Sequence, residues 1–401
     1  MSLLAFLYGY KTMNTFPDYS NCLVNLSNSI LKKFGAATMA ETLPLADTIF
    51  CKNYKNVVLL VLDALGCSIL EKHLKEDAFF RSHVKGALDS VYPPTTVAAT
   101  TSLMSALYPN EHGWLGWDLF YPELDKNVTV FLNCEQAKEK ENAVPDCVNG
   151  KEMWSSESIV RGEPFSAFHA GRNFAPYKSI VERINEVGGN AYFSFPFAEP
   201  FPQDLEAVLS RIQKLCAEPE KKFIYSYWME PDATMHRTGT ESKNTHLMVK
   251  KLEKQIMKFS ETLSDTLLLI TADHGHIDSM NLCILDYPEI CKCLVRLPSI
   301  ESRTLSLFVK PEYLKKFPEL WKKTFGDAFL LLTREEVLEK NIFGIGKNNP
   351  RLETMIGDFV ALSVSNKSIF NTHYTAQIHK GNHAGLLPEE IKIPLIAIEC
   401  N

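Results

Sequence analysis

Five continuous apolar runs constrain this chain more than any other feature. They are Val57–Leu62, Ala191–Phe195, Phe223–Trp228, Thr266–Thr271 and Ile393–Ile398. Runs of this length, without polar alternation, suit strands buried on both faces of a parallel sheet. Between them lie stretches with apolar residues at three- and four-residue spacing, clearest from Leu205 to Cys216 and from His246 to Leu263, which predict amphipathic helices. The alternation argues for an α/β fold with right-handed crossovers. With 401 residues, 45% of them hydrophobic and 22% charged, the chain can bury a large core, which excludes a disordered or disulfide-stapled small protein.

Two regions break the alternation. Residues 118–165 are polar and turn-rich, with the charge run Lys138-Glu139-Lys140-Glu141, and residues 279–375 hold shorter apolar runs such as Leu305–Val309 and Phe329–Leu332. The expected organisation is an N-terminal extension over 1–50 packed on the core, a catalytic α/β core over 51–278 and 376–401, and an inserted α+β cap subdomain over 279–375.

The apolar start of the chain, MSLLAFLYGY, has no basic residue ahead of it, so it does not read as a secretory signal, and no run approaches a membrane span. The ten cysteines form no CxxC pair, which fits reduced thiols and a cytoplasmic protein. Cys283, Cys291 and Cys293 cluster, but without a matching second group their expected role is packing. A net charge of −6 argues against a general nucleic-acid coat. Oligomeric state is not legible in the sequence.

Function in open α/β sheets gathers at the C-terminal ends of strands, and here those ends are acidic. Asp63 follows Val57–Leu62, Asp232 and His236 follow Phe223–Trp228, Asp273 and His274 follow Thr266–Thr271, and His383 precedes the last run. Any one of these could be a helix cap or a buried structural residue. Together, three aspartates and three histidines supply ligands for two divalent ions, and the absence of thiolates from the set argues for a hydrolytic centre over a structural zinc knot. Asp232 and His236 share one side of a helical turn, and Gly275 is expected to supply the backbone freedom for a sharp turn after His274. A nucleophile is available in the hydroxyl-rich segment Tyr92–Ser102, where Pro93 and Pro94 precede a predicted helix over Val97–Leu107. A hydroxyl at that helix start would face free N–H groups and a positive dipole end, suiting attack on phosphate or sulfate, although an ordinary Thr cap explains the segment as simply.

The combined pattern resembles the alkaline phosphatase superfamily, most closely its nucleotide pyrophosphatase/phosphodiesterase branch. Tyr108-Pro109-Asn110-Glu111-His112-Gly113 matches that branch's YPxxHG ending, and its spacing points back to Thr96 as nucleophile. Pro231-Asp232 with His236 matches PDxxxH, Asp273-His274-Gly275 matches DHG, and His383-Ala384 matches the late His-Gly motif less well. The resemblance implies an alkaline-phosphatase-like three-layer sandwich with a mostly parallel central sheet. It also implies two divalent metal ions, zinc before manganese, one held by Asp232, His236 and His383 and the other by Asp63, Asp273, His274 and the Thr96 hydroxyl. The implied activity is hydrolysis of a small phosphodiester or pyrophosphate substrate through a phospho-threonine intermediate. A phosphomonoesterase, sulfatase or phosphonate hydrolase with the same site is the alternative, and a non-catalytic metal-binding protein is disfavoured because nucleophile and ligands occur together. The sequence departs from the branch at Ala99, where the branch has an Asn that holds a phosphoryl oxygen, and at Ala64, where it usually has Gly.

Candidate substrate contacts are Thr95, the aromatic side chains of Trp117 and Trp228, His276, and Lys347 in a Gly/Asn/Pro-rich loop of the insert. The competing role for the aromatics is core packing, and for Lys347 a solvated turn. HExxH, GxGxxG after the first strand and the P-loop signature are all missing, which removes the usual metalloprotease, dehydrogenase and P-loop nucleotidase readings.

Overall fold

A computed structural model of the chain describes residues 16–149 and 151–401. The apolar start of the chain, read above as lacking a secretory signal, lies outside the described residues, as do the first residues of the N-terminal extension.

The apolar runs form the central sheet. Its strand order is Ala191–Ser194, Lys222–Trp228, Asn56–Leu62, Thr266–Thr271, Lys392–Cys400 and Val84–Asp89. Asn56–Leu62 pairs in parallel with both Lys222–Trp228 and Thr266–Thr271, and all seven of its residues are buried, so both faces of the sheet are covered. Flanking helices do the covering. Leu205–Ala217 is capped by Asp204, whose carboxylate accepts from Ala207 N at 2.8 Å, and it buries Leu205, Val208, Leu209, Ile212 and Leu215. Lys243–Ser260 is capped by Ser242 and buries Val249, Leu252 and Ile256. Leu23–Lys33 buries Leu23 through Leu31 in the same core, against the helix Thr96–Ser105.

Two strands depart from the sequence reading. The Ile393–Ile398 run was expected in a parallel sheet, yet Lys392–Cys400 runs antiparallel to both neighbours. The reason is where the chain comes from. His383 sits at the C-terminal edge of the parallel strands, so the strand that follows it must run back. Pro394 is tolerated because pairing with Thr266–Thr271 stops at Ile396. Val84–Asp89 is an additional strand at the sheet edge, with its first four residues exposed or half-buried, and its polar, glycine-containing sequence hides it from an apolar-run reading.

A second, seven-stranded sheet stands beside the first, in the order Phe329–Thr333, Phe359–Ser363, Thr304–Leu307, Ser299–Ile300, Asp118–Tyr121, Lys126–Thr129 and Cys134–Glu135. It therefore draws three strands from the polar, turn-rich region that had been placed in the catalytic core, so the cap is not bounded by residues 279 and 375. Ile300 pairs with Asp118, and Leu119, Tyr121, Val128 and Val130 share a core with Ile300, Val360 and Leu362. Among the described residues no helix is long and apolar enough to cross a membrane.

Candidate metal centre

The predicted ligands converge because adjacent strands deliver them to one edge. Asp63 ends Asn56–Leu62, the helix Asp232–Thr238 follows Lys222–Trp228, and Asp273 and His274 follow Thr266–Thr271. Thr96 is the first residue of the helix Thr96–Ser105, after Val84–Asp89. Its Oγ1 lies 3.2 Å from His274 Nε2 and 3.4 Å from Asp63 Oδ2. His274 Nε2 is 3.3 Å from Asp63 Oδ1 and 3.6 Å from Asp273 Oδ2. In the other half of the cluster, Asp232 Oδ2 is 3.3 Å from His236 Nε2, and Asp232 Oδ1 is 3.9 Å from His383 Nε2. The His274 and His383 rings stack with centroids 3.8 Å apart, which joins the two halves.

Each of these imidazoles is oriented from behind by a backbone carbonyl. His274 Nδ1 meets Gly275 O at 2.9 Å, His236 Nδ1 meets Gly381 O at 2.9 Å and His383 Nδ1 meets Pro94 O at 3.1 Å. A proton on Nδ1 in each case leaves the Nε2 lone pair facing the carboxylates, the arrangement a metal ligand needs. Burial lowers the pKa of His236 to about 4 and that of His383 well below its ordinary value, so both rings are neutral at pH 7. Burial, then the nearby Asp273 and Asp232, raises Asp63 well above the usual carboxylate range, and the Tyr227 hydroxyl donates to Oδ2 of Asp63 in partial compensation.

The donor set fits divalent cations. Asp63 Oδ1, Asp232 Oδ1 and Asp273 Oδ2 are buried without a hydrogen-bond partner among the described residues. Three buried carboxylate oxygens without partners are costly unless a cation joins them. Within this cluster three groups of ligand atoms lie within 4.8 Å of one another: Asp63 with Asp273 and His274, Asp232 with His274 and His383, and Asp232 with His236 and His276.

His276 lies beside Asp232 in the ligand cluster. It is fully buried, with Nε2 3.2 Å from Asp232 Oδ1. Gly275 is needed for a different reason than expected. A Cβ there would sit 2.0 Å from Glu389 O, so close backbone approach, and not a left-handed turn, excludes a side chain. Two alanines beside the cluster do have positive φ, Ala64 at 58° and Ala384 at 84°, both at positions where the resemblance leads one to expect glycine.

A cleft of about 360 Å³ opens from Thr96 between the two sheets. Its lining includes Thr95, Trp117, Asp232, His236, Glu301, Phe370 and His383, and no Lys or Arg among the described residues. Thr95 and Trp117, two of the candidate contacts, line this cleft. Trp228 is not in the lining, since it stands in register with Leu62 and packs on the main core. Lys347 is also outside it. Its loop seats on the short helix Pro109–His112, where Asn110 Nδ2 donates to Gly346 O at 2.7 Å and to Asn348 Oδ1 at 2.8 Å.

Glu301 was missed. It follows the short strand Ser299–Ile300, and Oε1 accepts from Thr95 Oγ1 at 2.6 Å and from Trp117 N at 2.8 Å. Nothing in its local sequence marks it, because its partners lie about two hundred residues away. Tyr227 was also missed, hidden inside an apolar strand that offers its hydroxyl to Asp63.

Fold and site together define an alkaline-phosphatase-like α/β protein whose strand ends gather carboxylates and imidazoles at ligand spacing. The chain belongs to the type I phosphodiesterase/nucleotide pyrophosphatase family, whose sequence profile matches residues 57–287. It is 22% identical over 191 residues to human ectonucleotide pyrophosphatase/phosphodiesterase family member 1, an alignment covering 46% of this chain and 19% of that protein. It is 21% identical over 229 residues to family member 3 from Rattus norvegicus, covering 54% and 24%. The alignments thus span about a fifth to a quarter of the length of these curated relatives. Among solved structures, an inactive variant of murine ectonucleotide pyrophosphatase/phosphodiesterase 5 in complex with AMP superposes with a TM-score of 0.60 at 14% identity, covering 87% of this chain and 88% of that one. Phosphonoacetate hydrolase from Sinorhizobium meliloti 1021, in complex with phosphonoformate, superposes with a TM-score of 0.55 at 13% identity, covering 85% and 89%. These likenesses establish the shared fold.

Proposed function

We propose that this protein hydrolyses phosphodiester or pyrophosphate bonds through Thr96. The observation that carries the reading is the approach of Thr96 Oγ1, at a helix N-terminus, to His274 and Asp63 at 3.2 and 3.4 Å. Asp63, Asp273 and His274 would hold one divalent cation with Thr96 beside it, and Asp232, His236 and His383 would hold the other. The mixed carboxylate–imidazole donor set favours zinc, with manganese the alternative. When bound, the cations supply Lewis acidity at the nucleophile and leaving oxygens.

The residues of the chain do the rest. Thr96 Oγ attacks phosphorus, a Thr96–phosphorus ester bond forms and the bond to the leaving oxygen breaks. Water then cleaves the phospho-threonine and returns the hydroxyl. The N-terminal N–H groups of Thr96–Ser105 face the phosphoryl oxygens. A diester is favoured over a phosphate monoester or carboxy-phosphonate because, among the described residues, the cleft lining has no Lys or Arg to receive a second anionic charge. All ten cysteines are unpaired, which supports a reducing, cytoplasmic location.

The test is turnover of bis(p-nitrophenyl) phosphate by protein reconstituted with zinc. EDTA and Thr96→Ala should each abolish it, and p-nitrophenyl phosphate should be the poorer substrate. A Thr96→Ala protein as fast as the parent would refute the nucleophile.

A further inference from the structure

Glu301 is an acid in the cleft outside the ligand cluster, and its two oxygens are treated differently. Oε1 accepts two hydrogen bonds, from Thr95 Oγ1 and Trp117 N, and among the described residues no group hydrogen-bonds to Oε2. Oε2 is also absent from the buried orphans, so it is open to the cleft that Glu301 lines together with Thr96. Ala99, three residues past Thr96, is fully buried and brings no polar side-chain atom to the phosphoryl group. Thr95 does not substitute, because its hydroxyl proton is given to Glu301.

We infer that Glu301 is a substrate-binding group which, as a neutral carboxylic acid, donates a hydrogen bond from Oε2 to a phosphoryl oxygen. This rests on the reading of Thr96 as nucleophile. Two donors converging on Oε1 leave no place there for a proton, so the acid's proton must sit on Oε2. Burial, assisted by Asp118 and Asp232, raises the Glu301 pKa to about 8 against the lowering effect of its two hydrogen bonds. The groups that share the cleft are Thr95 beside Thr96, Trp117 and Asp118 at the start of a second-sheet strand, and Asp232, His236, His379 and His383, with no Lys or Arg among the described residues to hold an anion. Cations in the cluster pull toward ionisation and the substrate's anionic oxygens pull back. An ionised Glu301 would repel the group that Thr96 attacks.

The experiment compares the parent, Glu301→Gln and Glu301→Ala, all loaded with zinc, in turnover of bis(p-nitrophenyl) phosphate across about pH 6 to 10. Calorimetric binding of inorganic phosphate near neutral pH is a second readout. A glutamine still accepts on its oxygen and donates from its nitrogen. Glu301→Gln should stay within about threefold of the parent kcat/KM near neutrality and lose the parent's decline on the alkaline side, while Glu301→Ala should fall about 100-fold or more. Phosphate binding should weaken about tenfold in Glu301→Ala and hold in Glu301→Gln. An alanine variant equal to the parent overturns the inference, as does a glutamine variant as impaired as alanine in both readouts, which would mean the charge is what works. If the parent shows no metal-dependent turnover, the Thr96 reading fails, and phosphate binding alone decides Glu301.

Discussion

His276 Nε2 lies 3.2 Å from Oδ1 of Asp232, and neither ring nitrogen of His276 makes a hydrogen bond among the described residues. The other oxygen of Asp232 faces His236, so one carboxylate stands between two imidazoles. His276→Ala is expected to weaken binding of one of the two cations by about 10- to 100-fold, the range for a residue that directly supports a ligand. Metal content after dialysis against graded chelator measures this, and two ions retained as tightly as in the parent would make His276 a packing residue.

Ala64 carries a side chain at φ 58° while its N–H donates to Asp273 Oδ1 at 3.1 Å. A left-handed L-residue costs about 1–2 kcal/mol. Glycine relieves that cost but loses about 0.5–1 kcal/mol to chain entropy, as well as the buried methyl. Ala64→Gly is therefore expected to change stability by less than about 1 kcal/mol. Ala64→Val, β-branched where φ is positive, should lose more than about 2 kcal/mol. Chemical denaturation curves of the two variants compare the effects directly.

Arg303 and Glu390 form a fully buried pair at 2.7 and 2.8 Å. Arg303 also donates to Lys367 O and Ser365 O, and Glu390 accepts from Gly385 N and Leu387 N. The pair ties the second sheet to the segment that carries His383. Removing one partner strands the other charge, so Arg303→Met alone should cost about 3–5 kcal/mol. Thermal or urea unfolding checks this, and a loss under about 1 kcal/mol would show that water reaches the site.

His373 sits between two carboxylates, with Nδ1 2.9 Å from Glu139 and Nε2 2.9 Å from Asp286, under the stacked ring of Trp154 at 4.3 Å. Partial burial opposes its charge, but Asp286 and Glu139 prevail and raise its pKa above 6.5. A raised histidine contributes stability fully below its unfolded pKa and loses it as pH climbs through the folded value. The link between the 139 and 373 segments should thus weaken on the alkaline side. Trp154 fluorescence, taken as the difference from Trp154→Phe, should rise with a midpoint above that of a free histidine. A midpoint below it would contradict the ion pair.

The legible part of the molecule was the part with one-dimensional signatures. Leu205–Ala217 and Lys243–Ser260 were visible because burial of one helix face imposes a 3.6-residue period, and Thr266–Thr271 because burial on two faces removes alternation. Asp63, Asp232, Asp273 and His274 could be proposed together because a parallel sheet brings consecutive strand ends to one edge. Strand direction was not legible in the Ile393–Ile398 run, whose residues look the same in either orientation. The second sheet was hidden because Asp118–Tyr121 and Lys126–Thr129 are short and carry polar residues that its packing buries.

The sequence by itself determined the α/β class and the acidic strand ends, since each is written in residue type and local spacing, and its family resemblance offered Thr96 and a two-cation ligand set as candidates. Only the tertiary structure decided that His276 joins Asp232, that Trp228 and Lys347 stay out of the cleft, and that Glu301 shares Thr95 with the catalytic segment. Those relations depend on packing between segments far apart in the chain, and no local period or motif encodes which distant side chain will fill the space beside a given one.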